Sequence, residues 1–432
     1  MEKTIQVGLL GSGTVGSGVV RVLRENLSEI ASKVGAEIRI KKVLVRDVKK
    51  QRPQLEGLPV TDKAEEILED EDISIVVEVM GGLHPAREYM LSAMEHGKNV
   101  VTANKDVVAQ CGRELFETAE RRKVDFMFEA SVGGGIPIIT PLKQCLTANR
   151  ITEILGIVNG TTNYMLTQMS ECGADYGTVL KEAQEKGYAE ADPSADVDGL
   201  DAARKAAILA SLAFNTRVQL NDVSVEGITR ITPADIQHAK DLGYAVKLLA
   251  VGREDSQKGV DVRVHPVFLS LEHPLASVNG VFNAIFVRGN AIGEAMFYGP
   301  GAGSLPTASA VVADVIEAAR NIRNQCTGRV LCTCFAEKKF CPIEETVSSY
   351  YIRLLVDDKP GVLGMIATVF GQADVSLKSV IQTKRSVPDH AEIVAVTHIV
   401  KHENILQAQK RLEELPVVDE ICNVIRVEYD RR

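Results

Sequence analysis

The stretch GYAEADPSADVDGLDAARKAA, from Gly187 to Ala207, sets Glu190, Asp192, Asp196, Asp198 and Asp201 in one acidic run and closes on Arg204 and Lys205. Pro193 and Gly199 break helix, so Glu190 to Asp198 is expected to be loop, with Asp198 capping a helix that runs to about Phe214. On that helix Asp201, Lys205, Ile208 and Leu212 fall at i, i+4, i+7 and i+11 and share one stripe. Its apolar members draw Asp201 and Lys205 toward the interior, while Arg204 lies off the line. A surface ion pair has the same i, i+4 spacing, but the run is one-sidedly acidic and its stripe is apolar for a solvated face. No histidine or cysteine lies in the stretch, which disfavours a transition-metal cage, and the spacing does not match a calcium-binding helix-loop-helix. What remains is a group of carboxylates able to bind an ammonium beside a lysine able to exchange a proton. Such a site suits an amino-acid alcohol.

Three further motifs carry chemistry. VGLLGSGTVGSGVVRVL places Gly11, Gly13 and Gly16 as G-x-G-x-x-G between an N-terminal strand and a helix. Gly11 permits the tight turn, Gly13 lets a pyrophosphate approach, Gly16 allows close packing, and the amides of Ser12, Gly13, Thr14 and Val15 meet the phosphates. The next strand ends KKVLVRD, where Arg46 can accept a 2′-phosphate and Asp47 a bare ribose, so the expected cofactor is NADP with NAD as the alternative. NVVTANKDVVA puts Thr102, Asn104 and Lys105 at a strand's carboxyl end, with Lys105 able to reach a nicotinamide or the substrate oxygen beside it; a plain surface lysine is the simpler reading of that motif alone. FEASVGGGIPII combines Glu129, Val132 and three consecutive glycines, whose inward-turned carbonyls suit a hard cation such as sodium, or equally a hinge.

These residues need a frame to hold them. Apolar runs at Ile5–Leu10, Ile38–Val45, Ile75–Val79, Val100–Thr102 and Val124–Glu129 alternate with helical periods at Val15–Leu27, Pro85–His96 and Gly112–Arg122, which predicts a parallel, doubly wound sheet. From about Ile136, strand-like runs at Ile151–Val158, Val223–Ile228, Ala245–Gly252, Val260–Val267 and Ala284–Arg288 recur without intervening helices, implying a second, mixed domain. A helix over Thr307–Ala319 leads into a poorly periodic connector. From Tyr350 the β-α-β-β-α-β order of a ferredoxin-like unit follows. The fold class is therefore α/β, with domains expected at 1–135 (completed by a helix near 305–320), 136–325 and 346–432, and a connector over 326–345.

Composition bounds the setting. With 49 lysines and arginines against 58 acids, net charge −9, and no basic block interleaved with aromatics, nucleic acid is excluded as a partner. No apolar run approaches the ~18 residues that span a bilayer, and the N-terminus reads as a buried first strand rather than a signal peptide. Eight scattered cysteines (111, 145, 172, 326, 332, 334, 341 and 422) suit a reducing cytoplasm. The cluster Cys326, Cys332, Cys334, Cys341 lacks the paired C-x-x-C spacing and nearby histidine of a zinc site.

GLLGSGTVGSGVV, VTANK, EASVGGGIPII, VNGTTNYML, GYAEADPSADVDGLDAARKAAILA and GPGAGSLPTASAVVAD, in this order over roughly residues 1–325, resemble the successive signatures of the homoserine dehydrogenase family. The segment containing DKPGVLGMIATVF resembles the ACT amino-acid-sensing module that many bacterial members append. The resemblance implies an N-terminal Rossmann domain, a mixed α/β catalytic and dimerisation domain and a C-terminal ACT domain. It implies Lys205 as catalytic lysine, Lys105 as a second lysine near the nicotinamide, and Glu190, Asp196 and Asp201 as substrate-binding acids. Glu129 with the carbonyls of Val132, Gly134 and Ile136 would hold a monovalent cation, sodium. Asn159, Gly160 and Thr161 would lie near substrate, and Thr102 and Gly303 near cofactor. The implied reaction is NAD(P)H-dependent reduction of L-aspartate 4-semialdehyde to L-homoserine, in a homodimer or homotetramer open to feedback by an amino acid such as threonine. A catalytically idle amino-acid sensor is the rival from another class, and a reductase of another small substrate the enzymatic one. None of the eight histidines sits in these motifs, and neither Cys145 nor Cys172 lies in a nucleophile motif, which disfavours histidine- and cysteine-based dehydrogenases.

Overall fold

The computed structural model describes residues 4–384 and 390–428. The outermost ends of the expected first and last domains, 1–3 and 429–432, lie outside the described residues. In chain order the first elements are β1 (Ile5–Leu10), α1 (Thr14–Glu25), α2 (Leu27–Val34), β2 (Ile38–Leu44), β3 (Val60–Thr61), α3 (Glu65–Leu68), β4 (Ile73–Glu78) and α4 (Ala86–Glu95). Next come β5 (Asn99–Thr102), α5 (Lys105–Arg122), β6 (Phe126–Met127), β7 (Ile151–Ile157), α6 (Gly160–Cys172), α7 (Tyr176–Glu185), α8 (Ser194–Val197) and α9 (Leu200–Ala213). Then follow β8 (Ser224–Val225), α10 (Pro233–Asp241), β9 (Tyr244–Asp255), β10 (Gly259–Ser270), β11 (Phe282–Gly289), β12 (Gly293–Pro300) and α11 (Ser304–Arg323). The last elements are β13 (Val347–Asp357), α12 (Val362–Gln372), β14 (Leu377–Lys384), β15 (His390–Thr397), β16 (Val400–Lys401), α13 (His402–Glu413) and β17 (Val418–Glu428).

The chain divides into two compact units. The first takes Met1–Ile154, Arg204–Asp222 and Phe282–Glu337; the second takes Leu155–Ala203, Val223–Val281 and Lys338–Arg432. In the first, six strands pair in the order β3-β2-β1-β4-β5-β6, all parallel. That is the doubly wound order, whose direction reverses beside β1 and leaves a crevice at the strands' carboxyl ends. Nearly every residue of β1 and β4 is buried, as parallel strands covered on both faces must be. α11, far along the chain, supplies one cover: Ala308, Val311, Val315 and Ala318 join Val7, Leu9, Val19 and Val20 in one apolar core. The hairpin β11–β12 belongs to this unit too.

In the second unit β9 and β10 pair antiparallel along twelve residues, and β10 continues in parallel onto β17. Beyond it β17, β13, β15 and β14 form an antiparallel sheet in which Tyr350, Ile352 and Leu354 pack with Ile366, Phe370, Ile405 and Leu412 of α12 and α13. This is the expected β-α-β-β-α-β unit. α10 is tied to it by buried polar contacts: Arg353 donates to Asp235 (2.8 Å) and Thr232 (3.1 Å), and Asn423 donates to Asp235 (2.9 Å).

Three expectations need correction. Helices α6, α7 and α10 interrupt the strands after residue 136. α6 is buried at Thr161–Thr167 and Met169, nearly all round, so its sequence carries no amphipathic stripe to announce it. The run 223–228 keeps only two strand residues, because Gly227 turns the chain directly against the backbone of Val197 and Asp198. Lastly, 124–129 is strand only over β6, and a 3₁₀ turn takes Glu129–Ser131.

Candidate active site

The glycine motif closes β1 and opens α1. Gly11 has φ +107°, and a Cβ there would sit 2.9 Å from the Val79 carbonyl; a Cβ at Gly16 would strike the Gly11 backbone, whereas nothing lies within 4 Å of one at Gly13. The turn is therefore closed behind and open in front, where phosphates would approach. No side chain caps α1 at Gly13 and no acid sits in its first turn, so the amides at Thr14 and Val15 keep their positive end for a ligand. Gly303 (φ +118°) opens α11, and the Ser304 hydroxyl donates to the Thr14 carbonyl at 2.7 Å, which brings Gly303 to the same rim.

A cleft of about 510 Å³ lies before this turn, with Gly11, Ser12, Gly13, Arg46, Lys50 and Arg52 among its lining residues. Asp47 accepts the Lys49 amide at 2.9 Å, and Arg52 braces the same loop by donating to the Asp47 and Lys50 carbonyls. Lys50 and Arg52 were not singled out in the sequence, although KKQR, one residue after KKVLVRD, was the available signal. The open turn and its basic flank fit a dinucleotide.

Across the switch, Glu78 ends β4 fully buried, and burial pushes its carboxyl above the ordinary range. It accepts the Met80 amide (2.7 Å) and the Thr102 hydroxyl (2.6 Å); Thr102 in turn accepts the Asn104 amide (3.0 Å). Asn104 caps α5 through the Val107 amide. This chain fixes the start of α5, where Lys105 stands half-buried; the hydroxyl of Thr102 is spent on the frame. Glu78 was a further residue not singled out in the sequence, a lone acid closing the apolar run ISIVVE.

Lys205 is half-buried on α9, while Asp201 (7% exposed), Ile208 and Leu212 are buried, as the stripe predicts. Arg204 reaches Asp106 at 2.8 Å. Asp106 follows Lys105 and Arg204 precedes Lys205, so one ion pair joins the starts of the two lysine-bearing segments.

Glu129, also buried, accepts the amides of Ile138 (2.6 Å), Ile139 (2.7 Å) and Thr140 (2.7 Å), and its own amide donates to Asp314. Gly133 and Gly134 take φ +73° and +57°, and Gly134 meets the Gly301 backbone so closely that a side chain has no room. Val132 and Ile136 are buried on either side. The Asn283 amide packs against Gly301 with both ends buried and unpaired. Both carboxylate oxygens of Glu129 are thus already taken up by backbone amides.

In the second unit, Asn159 is the centre of an acidic cluster. Its amide nitrogen donates to Asp196 (2.7 Å) and Asp201 (2.9 Å), and its oxygen caps α6 through the Thr162 amide (2.9 Å). Gly160 begins α6, and the Thr161 hydroxyl donates to the Tyr188 carbonyl at 2.7 Å. Glu190 stands exposed on the loop, held through its carbonyl by Gln184. The expected loop over 190–198 contains one helical turn, α8, and Asp198 closes that turn instead of capping α9. Gly199 (φ +84°) takes the capping place, its carbonyl accepting the Ala203 amide, because its backbone packs on Val225 and Val264. Asp192 accepts the Ser194 amide two residues on.

A dinucleotide cradle in the same unit as paired, lysine-bearing helix starts defines a nicotinamide-dependent oxidoreductase, here with an ACT-like module appended. Residues 11–129 match the homoserine dehydrogenase NAD-binding family, residues 137–316 the homoserine dehydrogenase catalytic family and residues 350–417 the ACT domain family. The homoserine dehydrogenase of Synechocystis is 48% identical over 98% of this chain and 99% of its own, and that of Bacillus subtilis 44% over 99% of each. The crystal structure of a homoserine dehydrogenase from Thiobacillus denitrificans superposes with a TM-score of 0.94 at 41% identity, covering 99% of both chains. A hyperthermophilic archaeal homoserine dehydrogenase solved with NADPH covers 73% of this chain at 29% identity, with a TM-score of 0.63. The chain belongs to the homoserine dehydrogenase family and is an NAD(P)-dependent oxidoreductase acting on a CH–OH group. Among the described residues no helix is long and apolar enough to cross a membrane.

Proposed function

We propose that this chain interconverts L-aspartate 4-semialdehyde and L-homoserine with NADP(H), using Lys205 as proton donor and acceptor. The observation that carries this reading is the Arg204–Asp106 pair, which joins the segment bearing Lys205 to the one bearing Lys105. When bound, the nicotinamide supplies or takes the hydride at the carbonyl carbon. In the reductive direction Lys205 gives its proton to the carbonyl oxygen as negative charge develops there, and in reverse it accepts the hydroxyl proton. Lys105 acts as a second cation near the nicotinamide. Asp201, one turn before Lys205, orients it. Glu190 and Asp196 receive the substrate ammonium, and Asn159, Gly160 and Thr161 keep the acids in register.

Arg46, Lys50 and Arg52 favour a 2′-phosphate, since the Asp47 carboxylate is turned onto its own loop. A sodium ion at the carbonyls of Val132, Gly134 and Ile136, beside Glu129, belongs to the same proposal. So do domain limits at 1–135, 136–325 and 346–432, a cytoplasmic homodimer or homotetramer, and threonine as effector of the ACT domain. Homoserine-dependent reduction of NADP, exceeding that of NAD, tests the reading. An enzyme that reduces NADP with another hydroxy compound and not with homoserine rejects it, and equal rates in sodium and choline salts remove the cation.

A further inference from the structure

Beyond the dehydrogenase chemistry, we infer that Cys332 and Cys334 form a thiol–disulfide switch at the C-terminal end of helix α9, oxidised by low-molecular-weight disulfides. The segment CTC lies in the connector, with only Thr333 between its two cysteines. Residues two apart are at most about 7 Å apart along a chain, near the Cα separation a disulfide spans. Arg217 points a guanidinium nitrogen at the Cys332 sulfur from 3.7 Å. The Lys143 ammonium adds a second positive charge on Cys332; it lies over the Phe116 and Phe128 rings at 5.0 and 5.6 Å. The neighbouring Cys334 and the two cations hold the Cys332 thiol below its ordinary range against burial, whereas Cys332 and burial push the Cys334 thiol up. One sulfur is thus prepared as the attacking thiolate and the other as the resolving thiol.

The chemistry balances with a disulfide RSSR as oxidant. The Cys332 thiolate attacks one sulfur, forming a mixed disulfide and expelling RS⁻. Cys334 then attacks the Cys332 sulfur, its proton passing to the second departing RS⁻, so one RSH and one RS⁻, which takes a proton from solvent, leave and one internal disulfide remains.

The pair is attached to α9. Cys334 donates to the Ser211 carbonyl (3.7 Å) and lines a recess with Ala207, Ile208 and Leu212 of that helix. Asn215 donates to the Thr333 carbonyl (3.1 Å), and the Ala336 amide donates to the Asn215 carbonyl (2.9 Å). Oxidation removes the bond to Ser211 and takes from Arg217 the negative sulfur it faces. The end of the helix that carries Lys205 loses part of its anchor.

The full-length protein is treated with glutathione disulfide near neutral pH, quenched by alkylation and mapped by mass spectrometry. The expected result is a Cys332–Cys334 disulfide that forms before any adduct on the exposed Cys145 and Cys172. Cys334→Ser should stop at a mixed disulfide on Cys332, and Cys332→Ser should leave Cys334 unmodified. Reaction at Cys145 and Cys172 with Cys332 and Cys334 still reduced overturns the proposal. The oxidised enzyme should lose several-fold in kcat, restored by dithiothreitol, while the Cys332→Ser/Cys334→Ser enzyme is unaffected; a formed disulfide with unchanged kcat overturns the coupling to α9. Mapping reads the thiol chemistry without an activity, so its failure is distinguishable from failure of the homoserine assignment on which the kcat arm rests.

Discussion

Asp196 and Asp201 share the two amide hydrogens of Asn159, so a single neutral side chain sets the spacing of two acids that would otherwise repel. Asn159→Ala removes both donors and the cap of α6. Loss of hydrogen bonds to charged groups corresponds to roughly tenfold or more, and that should appear as a raised semialdehyde KM with the NADPH KM unchanged in steady-state kinetics. Glu190→Gln should weaken the same substrate without touching the cofactor. Lys247, buried near the start of β9, donates to the Val278 carbonyl (2.6 Å) and the Asn279 side chain (2.9 Å), and burial lowers it to about 8. Its folded value lies below its unfolded one, so the charged form is penalised below pH 8 and the penalty disappears as pH rises toward ~10.4, a gain of about 3 kcal/mol. Denaturant unfolding of wild type and Lys247→Met at several pH values should show the difference moving toward wild type as pH rises; a constant difference contradicts it. Lys247 has no motif to announce it, whereas Asp201 and Lys205 were legible because helix period alone places them on one stripe with Ile208 and Leu212.

The starts of α5 and α9 are the elements on which the proposed chemistry rests, and Arg204 with Asp106 fastens one to the other. Replacing Arg204 with Met should lower kcat about tenfold to a hundredfold through misplacement of the lysines, with the NADP KM within about twofold. A kcat equal to wild type shows that the ion pair positions nothing. This contact could not be read from sequence, because Arg204 and Asp106 lie far apart on the chain and each looks like an ordinary surface charge. The alternating β and α elements of the first unit were legible from buried strand runs such as IQVGLL, and the ferredoxin-like order from its turns and periods. α6 was not, since a helix buried on nearly all sides shows no period, and α8 was hidden because one turn is too short to have one.

At the scale of the molecule, the second unit carries one sheet from β9 and β10 into the ACT domain through β17. Deleting 346–432 would strip β10 of a neighbour, so regulation is better tested in the full chain. Asp235 and Arg353 join α10 to β13 through a buried pair; replacing one alone leaves a buried charge, so both are changed, Asp235→Asn with Arg353→Met. If threonine acts through the ACT domain, its inhibition curve should shift to higher concentration while uninhibited kcat stays within about twofold. An unchanged curve removes this link.

The central claim is that Lys205 moves the proton. Steady-state kinetics of Lys205→Ala, with homoserine and NADP both varied, should show kcat reduced about a hundredfold or more with the NADP KM little changed. A kcat close to wild type would contradict the account.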